Sequence, residues 1–207
     1  MIDVTTGERR TRAHGDERKQ LVLDVATRLF SERGFNRVSI GDVASASGLS
    51  QAGLLHHFPS KKALLLAVLQ ERDHRRDGAR DAAPHGLDFV TNFVETLEEN
   101  ERQPELMRLF AILSSESITA EHPAHGWFVA RYEDLIALTT DELRNAIDTD
   151  SLPDGIDVET IAQWLIALAD GLRQQSLLLP GTVDRVAAMR AFIGLLRPYL
   201  RRTNAPH

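Results

Sequence analysis

The chain has 207 residues, no cysteine, 43% hydrophobic and 26% charged residues, and a formal net charge of −6. This is the composition of a globular protein long enough to bury a real core. It excludes disulfides and thiolate chemistry, and no run of about 18 apolar residues is present to span a membrane. The N-terminus carries no apolar stretch of the signal-peptide kind, so a reducing cytoplasm is the expected compartment. A negative total is unpromising for a nucleic-acid binder, but the charge is unevenly spread. Residues 1–62 hold 10 Lys+Arg against 7 Asp+Glu, and the remainder holds 14 against 23. A basic front and an acidic back suit an N-terminal module that meets phosphate. The excess is small, and chance placement of solvated charges produces the same pattern.

Residues 1–15 are polar and lack periodicity, which predicts a mobile arm. Arg9, Arg10 and Arg12 in it can reach phosphates or a minor groove, although a solvated tail is the simpler reading. From Asp16 to Arg33 the apolar residues Val22, Val25, Ala26, Leu29 and Phe30 recur at helical spacing, and Gly34 supplies a stop. The stretch SIGDVASASGLSQAGLLHHFPSKK, from Ser39 to Lys62, then reads as two short helices about a tight turn at Gly48. Ser39 caps the first, with Asp42 completing a capping-box pattern, and Ile40, Val43 and Ala44 share its inner face. Leu49 plugs the angle between the helices. Ser50 caps the second, whose Leu54 and Phe58 point inward and leave Gln51, Ala52 and Leu55 facing elsewhere. A short helix anchored from behind with an uncommitted outer face is the form that enters a DNA major groove.

Phe58-Pro59-Ser60 interrupts the helical pattern, and Ser60 can cap a further helix running from Lys61 to about Asp77. Gly78 to Gly86, with Pro84, reads as a break. Helical segments are then expected near 87–100, 104–118, 123–148, 157–179 and 183–202, and no window alternates as a strand does. The predicted fold is all-α: an arm over 1–15, a three-helix helix-turn-helix domain over 16–62 and a helical domain over 63–207. The helix that starts at residue 61 connects the two domains.

The pattern resembles the TetR-type transcriptional regulators, most strongly over residues 18–75. The likeness rests on LFSERGFNRVSIGDVASASGLSQAGLLHHFPSKKALLLAV, where the first helix, Gly34-Phe35, the helix-turn-helix and the phenylalanine before Ser-Lys-Lys stand at the family's spacing. The runs RLFAILSSESITAEHPAHGWFVARYEDL and ADGLRQQSLLL resemble one subgroup of the C-terminal domain. The resemblance implies a homodimer on double-stranded DNA, with a palindromic operator, a C-terminal domain that dimerises and binds a small-molecule effector, and repression relieved by that effector. Carried over by position, Gln51 reads a base, Ala52 touches a thymine methyl group, and Ser39, Ser50, His57 and Lys61 meet phosphates. The structural alternative for each is an exposed polar residue or a cap. Gly53 and Leu55 also lie on the reading helix but depart from the family, which commonly has threonine and tyrosine there. The mode of binding is therefore better specified than the operator.

In the second half Met107, Phe110, Trp127, Phe128, Gln163 and Trp164 are candidates to line an effector pocket, and an aromatic set at this spacing serves equally as core. Apolar stripes containing Leu165, Leu168 and Leu172, then Met189, Phe192 and Leu196, are expected to form the dimer surface, the alternative being that they close their own domain. His122 and His125, with Glu116 and His74 as possible neighbours, are the one constellation that hints at metal. Zinc needs three or four convergent ligands, and His122-Pro123 reads as an exposed helix start, so neither metal nor cofactor is expected. No nucleophile triad, phosphate loop or carboxylate pair points to an enzyme. The competing reading is an all-α ligand-binding or enzymatic module whose helix-turn-helix is structural. A third keeps DNA binding but replaces the small molecule with a partner protein.

Overall fold

Gly34 divides the first helix. The computed structural model describes the backbone over residues 4–80 and 87–201, and side chains over 15–71 and 93–201. Its first helix, α1 (Val4–Arg37), is interrupted where Gly34 takes φ 75° and ψ 166°, a region that essentially only glycine occupies. The helix is already formed at Val4, so the segment expected as an arm is helical over most of its length. It lacks proline, and Gly7 and Gly15 weaken a helix by only about 1 kcal/mol each. The side chains of Arg9, Arg10 and Arg12 lie outside the described residues.

Eight further α-helices follow among the described residues: α2 (Ile40–Ala46), α3 (Gln51–His57), α4 (Lys61–Arg80), α5 (Leu87–Glu101), α6 (Pro104–Glu116), α7 (His125–Ala146), α8 (Val158–Leu178) and α9 (Arg185–Leu196). The chain forms two compact units, Met1–Arg76 with Arg108–His125, and Asp77–Met107 with Gly126–His207. The expected division near residue 62 misses this grouping, because the end of α6 and the loop after it belong with the N-terminal helices.

In the first unit the predicted inner face of α1 is buried at Val22, Val25, Ala26, Leu29 and Phe30; on α2 Val43 and Ala44 are buried and Ile40 is half-buried; and Leu64, Leu65, Val68 and Leu69 of α4 complete the core. In the second, Val94 and Leu97 of α5, Leu143 of α7, Ile161, Leu165 and Leu172 of α8, and Val186, Met189 and Leu196 of α9 form one core. Asp157 and Asp184 cap α8 and α9, accepting from the Thr160 and Ala187 amides at 2.8 Å. Pro198 stops α9 short of the expected end, and the chain turns back so that the Arg201 amide donates to the Ala146 carbonyl at 2.8 Å.

Two polar groups tie the second unit together. The Tyr132 hydroxyl donates to Asp170 at 2.5 Å, and Arg173 pairs with the same carboxylate at 2.9 Å. Burial, then the Asp170 contact, push the Tyr132 pKa up to about 12, so it remains a donor at neutral pH. Arg185, 3% exposed, donates to the Leu97 carbonyl and to Met107 Sδ, each at 2.8 Å.

The stripes expected to face a partner are largely used at home. Leu165, Leu172, Met189 and Leu196 are buried in the protomer's own core, with Leu168 and Phe192 packed partly buried against it. A periodic stripe dictates that a face is covered but not what covers it. Outside that core α8 and α9 expose Trp164, Leu178 and Leu195. No described helix is long and apolar enough to cross a membrane.

Candidate nucleic-acid interface

The reading head is set by its caps. Ser39 Oγ accepts from the Asp42 amide at 3.1 Å, while Asp42 Oδ2 accepts from the Ser39 amide at 2.7 Å and from its hydroxyl at 2.6 Å. These bonds hold the exposed Asp42 carboxyl below its ordinary range. The cap's contribution is thus complete above that ordinary range and is lost as the pH falls from it through the lowered pKa. Between the short helices, Gly48 takes φ 69° and Leu49 donates back to the Ala44 carbonyl at 2.9 Å. Ser47, which sequence patterning did not single out, is buried and bonds the Val43 and Ala44 carbonyls, closing the end of α2. Ser50 Oγ accepts from the Gly53 amide at 3.1 Å, and Ser60 Oγ from the Ala63 amide at 3.0 Å.

Helix α3 is anchored by one fully buried residue, Leu54, and by Phe58 just past its end. Gln51, Ala52 and His56 are exposed, and Gly53, Leu55 and His57 are half-buried. His56 stands edge-on to His57 with ring centroids 5.6 Å apart, and it extends the outer face beyond the residues expected from the motif. Two serines expected to touch phosphate are engaged as caps, and the Ser39 hydroxyl proton is already given to Asp42.

Lys61, at the start of α4, is folded onto the first unit. Its Nζ lies 4.1 Å from the Phe35 ring centroid and donates to the Asn36 carbonyl at 3.4 Å. Burial lowers its pKa, opposed by the charges of Glu116 and Asp42. The Phe35 amide, the first beyond Gly34, donates to Glu116 Oε2 at 3.0 Å. A Cβ at Gly34 would lie 2.5 Å from Glu116 Oε1, so the missing side chain makes room for that carboxylate. No motif announced this contact, because it joins residues 81 apart in sequence.

His122 is buried, not exposed as expected from His-Pro. Its Nδ1 accepts from the Ala124 amide at 3.3 Å and lies 2.8 Å from Ser117 Oγ, so the loop after α6 is folded around the ring. This places the proton of the neutral ring on Nε2, 3.9 Å from Glu116 Oε2. Burial depresses the imidazole pKa against the pull of Glu116. Among the described residues no three His, Asp or Glu side chains gather to hold a metal ion; the His74 side chain lies outside them.

Of the expected pocket residues, Met107, Trp127 and Phe128 belong to the second unit, where the Trp127 and Phe128 rings meet edge-on at 4.9 Å. Phe110 is buried in the first unit, and Gln163 and Trp164 are exposed on α8.

A capped α2–turn–α3 pair with an open outer face, carried on an all-helical chain, defines a helix-turn-helix DNA-binding protein. Residues 22–68 match the bacterial regulatory proteins of the tetR family, and residues 90–200 match the C-terminal region of BetI-type transcriptional repressors. The chain belongs to the TetR family and is a DNA-binding transcriptional repressor. It is similar to the HTH-type transcriptional repressor Rv1474c of Mycobacterium tuberculosis, 28% identical over 77% of this chain and 82% of that one. The regulator TtgR of Pseudomonas putida is 26% identical over 94% of this chain and 99% of its own. Among solved structures, the SmeT–triclosan complex superposes with TM-score 0.73 at 20% identity, covering 92% of this chain and 100% of that one. A Saccharomonospora viridis regulator in complex with choline gives 0.70 at 22% identity, covering 90% and 100%.

Proposed function

We propose that the protein acts in the cytoplasm as a homodimer on a palindromic operator and leaves it when a small-molecule effector binds the C-terminal region. The observation that carries the DNA-reading half is α3 itself. A seven-residue helix buries only Leu54 and turns Gln51 and Ala52 to solvent, an arrangement without use inside the protomer. Gln51 reads a base edge, Ala52 meets a thymine methyl group, and Gly53 and Leu55 allow close approach to the groove wall. Lys61, His57 and Ser50 take phosphates, while Ser39 acts as the cap that aims α2.

Exposed Trp164, Leu178 and Leu195 support self-association, because large apolar side chains on neighbouring helices suit a two-fold partner surface. Two reading helices must then enter grooves about 34–36 Å apart. Choline and triclosan bound to proteins of this fold support a small-molecule effector. Met107, Trp127 and Phe128 are the lining assigned to it in the second unit. Release requires that the effector bind more tightly to the form that cannot span two grooves. Nothing in this reading calls for turnover, and the chain is taken as non-enzymatic.

Sedimentation of the full chain tests the dimer. Trp164→Glu combined with Leu178→Glu is expected to give monomers and to weaken operator binding by more than about tenfold, since each head then binds alone. Unchanged sedimentation contradicts the assignment of this surface. Fluorescence anisotropy of an operator duplex during titration with a panel of apolar and cationic metabolites and drugs tests release. Loss of the bound signal with one of them is expected, and persistence throughout favours a protein partner.

A further inference from the structure

Lys61 is held by a short chain of contacts that leads to α6. Its ammonium sits on the Phe35 ring and donates to the Asn36 carbonyl. The backbone beneath that ring follows the break at Gly34, where α1 leaves helical geometry and the amide that restarts it lacks an acceptor in the turn before. Glu116, the last residue of α6, supplies the replacement by accepting from Phe35 N–H at 3.0 Å. The ring is further bounded by Phe30, with centroids 5.7 Å apart, and by buried His122, edge-on at 5.2 Å. Glu116 thus fixes the backbone of the residue whose ring carries the lysine, and its charge also bears on Lys61.

We propose that Glu116 is a positioning residue for DNA binding: by capping Phe35 at the Gly34 break it holds the ring that places the Lys61 ammonium for phosphate. The proposal rests on the reading of Lys61 as a phosphate contact. A lysine on a flexible stem loses rotamer freedom when it binds, and a ring that already holds it removes part of that cost. Glu116 touches no DNA itself. Its effect passes entirely through Phe35 and Lys61, which makes it separable by experiment.

The test is a double-mutant cycle on the full chain, using an operator duplex selected from random sequence by the wild-type protein. Affinity is measured across a salt series, and circular dichroism verifies that each variant remains helical. Lys61→Ala is expected to weaken binding and to lower the slope of log affinity against log salt by about one. Glu116→Ala is expected to weaken binding about fivefold in the wild-type background and by less than about 1.5-fold once Lys61 is alanine. Glu116→Gln, whose amide oxygen still caps Phe35, restores binding to within about twofold of wild type. Phe35→Leu keeps the capped amide but removes the ring, and it should repeat the pattern of Glu116→Ala should that variant unfold. If Lys61→Ala leaves affinity and slope unchanged, the phosphate reading of Lys61 fails. If Lys61→Ala behaves as expected while Glu116→Ala and Phe35→Leu bind as wild type, or cost the same in both backgrounds, the positioning role is overturned and the phosphate reading stands.

Discussion

Leu54→Ala is expected to abolish specific operator binding while the C-terminal unit stays folded. Leu54 is fully buried and is the only buried residue within α3. A helix of seven residues has no stability of its own in water, and Gly53 lowers it further. The orientation of α3 therefore depends on that one side chain and on Phe58 behind it. Truncating a fully buried leucine costs about 2.7–5 kcal/mol, a large share of the 5–15 kcal/mol that holds an ordinary domain together. Circular dichroism and urea titration should show an early transition in the first unit and an unchanged later one. Leu54→Met, which conserves volume, should cost less than about 1.5 kcal/mol and retain binding. Equal operator affinity for Leu54→Ala and wild type contradicts the assigned anchor.

Arg185→Ala is expected to destabilise the second unit by about 2–4 kcal/mol, through a lost buried charged donor and an unfilled volume. The guanidinium bonds the Leu97 carbonyl and Met107 Sδ, and its Nε lies 3.3 Å from Glu101 Oε1 without hydrogen-bond alignment. It links the start of α9 to the end of α5 and the start of α6. The upper part of the range for a broken buried ion pair does not apply, because Glu101 is 45% exposed and can turn to water once its partner is gone. Arg185→Met separates the two terms. Methionine fills much of the volume and needs no partner, so it should recover more than half of the loss in thermal unfolding. A loss as large as that of alanine assigns the cost to the hydrogen bonds alone.

The head was legible from local chemistry. Ser39 with Asp42, Ser50, Gly48 and Ser60 each act on residues within a few positions, so their spacing alone specifies the caps and the turn. The helices after residue 87 were legible for the same reason, as proline and glycine punctuate them. What escaped involves residues distant in sequence. Glu116 as the cap of Phe35, Arg185 on Leu97, and the burial of His122 follow from which helices pack together, and no local pattern encodes that. The stripes of α8 and α9 were recognised as apolar, yet Leu165, Leu172, Met189 and Leu196 proved to be core. The departure at Leu55 is visible in sequence, and the structure shows its side chain half-buried beside the anchor.

Whether α3 reads DNA through Gln51 decides the function of this chain. The direct measurement is the affinity of the full chain for its selected operator and for every single-base variant of it, for wild type and Gln51→Ala, at several salt concentrations. The expected result for wild type is specific binding that weakens as salt rises. Gln51→Ala should lose about 1–3 kcal/mol of discrimination at one base pair in each half-site, with non-specific affinity and salt slope unchanged. An unselective wild type, or a Gln51→Ala variant with the same preference as wild type at every position, would contradict it.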